Sequence, residues 1–330
     1  MVRFTVLASG SKGNSTVVTG GRTRILVDAG LSCRELFRRM KLVDEAPETL
    51  DAILITHEHT DHVGGLAVTA RKLGIPVYFT EGTHRAWMRC LTPRRQMTYA
   101  QWLEQCRQQA AEREAEAGSE LCESVAPEEV EEPEVPDAIP QTPYPKPQTP
   151  DPNPIPSRKE DPTWLPAVEY FQAGQPFEIG DIAVSPFTIP HDAADPVGFV
   201  FRTEGLRLAC ATDLGYIPPN VKAQLKALDL LLLESNHDLE MLRDGPYPWS
   251  VKQRVLSRVG HLSNEATADF LENTYDGQAA YVILAHLSES NNLPELARVA
   301  AERALNGHAS LLANKLLLAD QNEPLAPIYF

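Results

Sequence analysis

Directly behind the apolar run Ile53-Leu54-Ile55, three histidines and an aspartate fall within six residues: His57, His59, Asp61 and His62. The run reads as a short strand buried on both faces, so the loop that follows is carried into or against the core. Three imidazoles and a carboxylate are expensive to desolvate together without a cation. Any fold of this chain therefore has to bring them to metal. His57 and His59, two residues apart, can converge on one ion while Asp61 and His62 point to a second. Mixed imidazole and carboxylate donors suit zinc, manganese or iron. The competing reading is a surface loop that is merely rich in histidine. The density of ligand types immediately after a buried strand argues against it.

The same layout recurs along the chain. Residues 4–7 and 16–19 read as a strand pair, followed by a strand over 24–28. Residues 182–190 lead to His191-Asp192, 206–212 to Asp213, 228–233 to Glu234-Ser235-Asn236-His237-Asp238, and 281–285 to His286. Short apolar strands that each end in a titratable residue are how a sheet collects one site from loops scattered in sequence. Amphipathic helices are expected over 33–40, from 63 to 72 and over 251–258. His84, near a helix start, is expected to cap that helix or lie on the surface. His308 carries no assigned role.

Between residues 120 and 166 the chain is acidic and then proline-rich, holding about half of the 27 prolines and almost no periodic apolar residues. Such a stretch cannot bury enough surface to fold alone. The expected organisation is one domain in two halves, 1–93 and 167–330, interrupted by an insertion over 94–166 that is partly helical and then disordered. A docking arm for a protein partner is the functional alternative for that insertion. It also explains the charge. About 15 acidic and 5 basic side chains lie between residues 101 and 165, so about −10 of the net charge of −15 is local and says little about partners. No apolar run approaches the roughly 18 residues of a membrane span, and the first residues run straight into a strand without a signal-peptide layout. The five cysteines are odd in number and unpaired in spacing, which points to reduced thiols and a cytoplasmic location.

The motif His57-x-His59-x-Asp61-His62 resembles the signature of the metallo-β-lactamase fold superfamily. That resemblance implies an α/β protein (α+β in layering), a four-layer αββα sandwich with a dinuclear metal site at one edge. It implies His57, His59 and His191 on one ion, Asp61, His62 and His286 on the other, and Asp213 with a hydroxide between them. Asp61 would also orient the attacking hydroxide. Two cations lower the pKa of a shared water and act as Lewis acids, which suits hydrolysis of phosphodiesters, thioesters or amides alike.

Further stretches resemble the WalJ/YycJ group within the superfamily: Ser9-Gly10-Ser11-Lys12-Gly13-Asn14-Ser15, His191-Asp192-Ala193, Glu234 to Asp238, Gly260 to Asn264, and His286-Leu287-Ser288 with Asn291-Asn292. This likeness implies a 5′-to-3′ exonuclease acting on the 5′-phosphorylated ends of DNA with two divalent ions, zinc or manganese, with iron as the remaining candidate. Lys12, Asn14, Ser15, Asn236, His237, His261, Ser263, Ser288 and Asn292 are the expected phosphate-binding residues. His237 or His261 is the expected proton donor to the leaving 3′-oxygen. Lys252, Arg254 and Arg258 are a candidate basic face for the strand backbone. The interval from Asp213 to His286 is too short for the clamp domain that superfamily RNA nucleases insert there. Hydrolysis of a small or cyclic phosphodiester is the alternative within enzymes, and a regulatory or scaffold protein working through the insertion is the alternative outside them.

Overall fold

A computed structural model of the chain describes residues 1–92, 161–306 and 314–330. The insertion expected over 94–166 therefore lies outside the described residues up to residue 160, together with its proposed partner role, and so does His308. Two seven-stranded sheets account for the described strands. One is built from β1 (Arg3–Ala8), β2 (Ser15–Thr19), β3 (Arg24–Val27), β4 (Ala52–Leu54), β5 (Val77–Phe79), β6 (Val168–Tyr170) and the C-terminal β14 (Ile328–Tyr329), in the order β14-β1-β2-β3-β4-β5-β6. The other holds β7 (Phe177–Ile179), β8 (Ile182–Thr188), β9 (Val197–Thr203), β10 (Leu206–Ala211), β11 (Leu230–Glu234), β12 (Tyr281–Ala285) and β13 (Lys315–Leu318), in the order β13-β12-β11-β10-β9-β8-β7.

The apolar runs become strands buried on both faces because alternate residues serve two different cores. In β11, Leu230 and Leu232 join Phe4, Ile25 and Leu54 in the core between the sheets. Leu231 and Leu233 face outward, against Phe270, Leu271, Ala297 and Ala301 of the helices Asn264–Asn273 and Pro294–Asn306. The first sheet repeats the arrangement. Leu26, Ile53 and Phe79 pack outward on Leu36, Met40, Leu66 and Trp87 of the helices Cys33–Leu42, Leu66–Leu73 and Glu81–Leu91. Three cores separated by two sheets make the four-layer αββα sandwich.

Strand direction puts the chemistry on one edge. β3, β4 and β5 run parallel, as do β10, β11 and β12. β8 shares their sense because β9 is antiparallel to both β8 and β10. The C-terminal ends of these strands deliver Asp28, His57, His191, Asp213, Glu234 and His286 to that edge. The two sheets are stitched there by Val197 N–H to Thr56 O at 3.2 Å and His286 N–H to Ser9 Oγ at 2.8 Å.

Two local expectations change. His84 neither caps nor lies on the surface. Thr80 is the cap of its helix, and the His84 ring is buried, stacked on Phe79 at 4.8 Å, with Nδ1 2.8 Å from the Tyr170 hydroxyl. Residues 161–166, assigned by composition to the insertion, are seated on the helix Leu66–Leu73. Arg71 donates to the carbonyls of Asp161, Pro162 and Trp164, and Leu165 is buried. The cation finds these carbonyls whatever side chains surround them, so composition does not reveal the contact.

Candidate metal centre and active site

The centre begins with Asp28, the first residue beyond β3, held at a left-handed φ of 60°. Its carboxylate accepts the Thr56 backbone N–H at 2.9 Å and the Thr56 hydroxyl at 2.9 Å, and lies 2.8 Å from His62 Nδ1. This fixes two tautomers. His62 must donate from Nδ1 to the carboxylate. Thr56 Oγ1, whose own proton goes to Asp28, must accept from His57 Nδ1 at 3.0 Å. Both rings are left with a lone pair on Nε2, the form a metal requires. Glu234 does the same for His286, with Oε1 3.0 Å from Nδ1.

Around these rings the sequence-expected ligands gather. One ligand atom each from His57, His59 and His191 lie within 4.8 Å of one another, as do those of Asp61, His62 and His286. His59 Nδ1 is 3.2 Å from His191 Nε2, and Asp61 Oδ2 is 3.4 Å from Nε2 of both His62 and His286. Asp213 stands between the groups, 3.4 Å from His62 Nε2, 3.6 Å from His286 Nε2 and 4.0 Å from His191 Nε2. His57 Nε2 and Asp213 Oδ2 are buried without a hydrogen-bond partner. Buried polar atoms of this kind are costly unless something binds them. Orphaned atoms, lone pairs turned inward and a nitrogen–oxygen donor set all fit divalent cations.

The electrostatics agree. Burial alone would depress the pKa of His62, yet Asp213, Asp28 and Asp61 hold it well above the usual imidazole value. His286 is raised likewise by Asp213, Asp61 and Glu234 against its burial. Burial would raise Asp213, and His286 and His62 pull it far down instead. His57, buried and flanked by His62, is pushed low. The carboxylates thus create a pocket that demands positive charge, which protons supply when metal does not. Asp213 and His286 also adopt left-handed φ of 62° and 57°, and such strain on non-glycine residues gathers at functional sites.

Glu234 has no role assigned from sequence and is central in the structure. It is fully buried, and Oε1 also lies 2.7 Å from His261 Nδ1. Oε2 accepts the N–H groups of Leu214 at 2.7 Å and Leu262 at 3.3 Å. Burial would raise its pKa, but His261 and His286 bring it down to about 2. The signal was the recurring one, a titratable residue closing a leucine strand. The two proton-donor candidates part company here. His261 is partly exposed and oriented by Glu234. His237 is buried, with Nδ1 unpartnered and its pKa driven down to about 4 by burial.

Several expected phosphate ligands are occupied by the protein itself. Asn14 Nδ2 donates to Asp61 Oδ2 at 3.1 Å and Gly10 O at 3.1 Å, so Asn14 orients a candidate metal ligand. Ser15 is buried and bonds Asn14 O at 2.6 Å. Ser263 caps its helix by accepting from Ala266 N–H. Asn236 donates to His286 O at 2.7 Å, and Asn292 to the carbonyls of Ser235 and Asn236 at 3.0 Å. The backbone N–H groups of Gly10, Lys12, Gly13 and Asn14 all have protein acceptors. The expected basic face is also reassigned. Lys252 is buried and donates to Arg243 O at 2.7 Å and Gly245 O at 2.8 Å, Arg254 pairs with Asp192, and Arg258 lies 4.5 Å over the Tyr216 ring. Lys12, exposed and 2.5 Å from Glu289, together with Ser288 and His261, keeps an accessible face.

Residues 8–111 match the family model of the metallo-beta-lactamase superfamily, and residues 150–287 match that of a beta-lactamase superfamily domain. The exodeoxyribonuclease YycJ of Bacillus anthracis is 33% identical over 304 residues, covering 92% of this chain and 89% of that protein. The exodeoxyribonuclease WalJ of Streptococcus pneumoniae serotype 2 is 31% identical over 297 residues, covering 90% and 86%. Among solved structures, the metallo-beta-lactamase fold protein YhfI from Bacillus subtilis superposes with a TM-score of 0.56 at 14% identity, over 98% of each chain. A diphosphatase of the PhnP family does so with a TM-score of 0.53 at 15% identity, over 99% of this chain and 97% of that one. At these identities the structures speak to the fold alone.

Proposed function

We propose that this chain, which belongs to the metallo-β-lactamase superfamily and within it to the YycJ/WalJ group, is a dinuclear-metal 5′-to-3′ DNA exonuclease. It is a metal-dependent hydrolase. The observation that supports two ions is the pair of ligand groups around Asp213, each with its imidazole nitrogens turned inward. DNA as substrate follows the exodeoxyribonuclease relatives, and the polarity follows the resemblance alone. His57, His59 and His191 would hold one cation, Asp61, His62 and His286 the other, with Asp213 between them. Two divalent cations held there would supply an activated water at neutral pH and Lewis acidity toward the phosphodiester.

The protein's own residues do the rest. Asn14 fixes the Asp61 carboxylate, which would accept a hydrogen bond from the attacking water and so aim it. His261, with Nδ1–H committed to Glu234, presents Nε2–H to the leaving 3′-oxygen as general acid. Lys12 exchanges Glu289 for a strand phosphate at the mouth of the site. The cytoplasm is the proposed compartment, where thiols such as Cys33 and Cys210 stay reduced.

Metal analysis of the purified protein, run beside hydrolysis of duplex DNA labelled at either end, tests this. Nucleotides should leave from the 5′-phosphorylated end with manganese present, stop with chelator, and be lost in Asp61→Ala. Release from the 3′ end would overturn the polarity. Two bound ions with no DNA turnover but cleavage of a cyclic dinucleotide would move the assignment to a small phosphodiester.

A further inference from the structure

A second concavity lies on the same edge of the sandwich as the metal ligands. β4, β5 and β6 run parallel, so the ends of β5 and β6 emerge beside the end of β4 that leads to His57. β7 enters there, because it is antiparallel to β8, whose end leads to His191. Adjacent strands are about 4.8 Å apart, so this place is within reach of a nucleotide next to one held at the metals. The cavity has a volume of about 750 Å³, walled by Tyr170, Phe171 and Phe177 and rimmed by Glu81, Gln175 and Asp195. That is within the usual range for small-molecule sites. One loop joins it to the metal centre. Asp195 closes the loop that begins at His191, its carbonyl accepting the hydroxyls of Thr80 at 3.3 Å and Thr83 at 3.2 Å. Ala194 N–H is held 2.8 Å from Glu58, between His57 and His59.

The lining selects a chemistry. Among the described residues it includes neither lysine nor arginine, and its carboxylates would repel a phosphate. Its aromatic rings and hydrogen-bond acceptors suit a flat, neutral group that carries N–H donors. Phe171 and Phe177 are stacked on each other at 5.2 Å. Tyr170 is 57% exposed, yet its hydroxyl is pinned to His84 Nδ1 at 2.8 Å and that ring is stacked on Phe79. A fixed, exposed ring is what base stacking uses. Arg85 engages Glu81, which leaves Asp195 the better placed carboxylate for an exocyclic amine.

We propose that this cavity takes a nucleobase of the substrate strand, stacked on Tyr170 with its exocyclic amine donating to Asp195. The inference rests on the nuclease reading, so the test separates the two. The full-length, manganese-loaded protein is assayed on a 5′-phosphorylated oligonucleotide and on bis(4-nitrophenyl) phosphate, which carries no base. Tyr170→Ala should raise KM for the oligonucleotide about tenfold with little change in kcat and leave the base-free ester unaffected, while Tyr170→Phe keeps most of the affinity. Calorimetric titration with adenosine and cytidine should show binding that survives chelator and is lost in Tyr170→Ala. Should that variant fail to fold, Gln175→Trp, made at an exposed position, fills the cavity and should have the same effects. Unchanged KM in a variant that still degrades DNA overturns the proposal, as does binding of choline in place of the nucleosides. If the wild type degrades no DNA, the nuclease reading falls and the titration alone decides: nucleoside binding sustains the cavity's assignment and its absence ends it.

Discussion

The Glu234 carboxylate reaches His261 Nδ1 at 2.7 Å with the same oxygen that lies 3.0 Å from His286 Nδ1. One buried oxygen thus orients a proposed metal ligand and the ring proposed to protonate the leaving group. His261→Ala should lower DNA hydrolysis by about 10²- to 10⁴-fold, the usual value of a general acid. It should barely affect bis(4-nitrophenyl) phosphate, whose leaving group needs no proton. Glu234→Gln should depress both substrates, because it disturbs His286 as well. Equal losses on the two substrates in His261→Ala would remove its role as acid.

Metal should stabilise the fold and not merely activate it. His57 Nε2 and Asp213 Oδ2 are buried without a hydrogen-bond partner, and protons on His62 and His286 are what offset the carboxylates when no cation is present. At a free ion concentration of about 100 Kd, binding to the folded state alone adds roughly 2.7 kcal/mol. Thermal unfolding should therefore move upward by several degrees with zinc or manganese and fall back with chelator. Asp213→Ala should abolish most of that shift. A melting temperature indifferent to metal would count against the site.

His237 sets a separate pH dependence. Its pKa falls from the usual 6.5 to about 4 because burial penalises the imidazolium. The folded state therefore binds the proton less readily than the unfolded state. This group's contribution is fully present above pH 6.5 and is lost as pH falls from 6.5 toward 4, by up to about 3 kcal/mol. Denaturant unfolding in chelator, compared between wild type and His237→Phe, should show a shallower loss over that window in the variant. Parallel curves would show that His237 does not carry it.

That these side chains gather at one edge was legible because each candidate ligand follows a strand whose apolar run is hard to mistake, and the spacing His57-x-His59-x-Asp61-His62 is dense enough to call for a cation. What surrounds the ligands was not. Asn14, Ser15, Ser263 and Asn292 read as phosphate contacts because amides and hydroxyls beside a metal site suit phosphate. In the folded chain they satisfy backbone and carboxylate groups that only tertiary packing brings near. Lys252 misleads in the same way. A lysine on an amphipathic helix reads as solvated, but the carbonyls of Arg243 and Gly245 at the end of the preceding helix draw its ammonium inward. The C-terminal strand β14 is two residues long and owes its existence to the register Arg3↔Tyr329 with β1, a long-range pairing with no local signal.

Gly30 offers a test of how tightly the second ligand group is held. A Cβ at this position would fall 1.7 Å from Asp61 O and 2.7 Å from Asn14 N. Those two atoms are themselves joined by a 2.7 Å hydrogen bond, and Gly30 N–H returns to Asn14 O at 3.0 Å. The methyl group of Gly30→Ala must therefore push apart the bond that aligns Asp61, whereas His57, His59 and His191 have no such neighbour here. The variant should bind one ion fewer than the two proposed for the wild type. Its activity should fall by about 10²-fold or more, as displacement of reacting groups by about 1 Å commonly produces. Because the clash is with backbone atoms, its cost exceeds the roughly 1–3 kcal/mol typical of side-chain overpacking, so circular dichroism in chelator must first show that the variant folds, with a lowered midpoint. Two ions retained with undiminished turnover would mean that the Asp61 loop tolerates displacement and that the close approach of Gly30 does not hold the site in place.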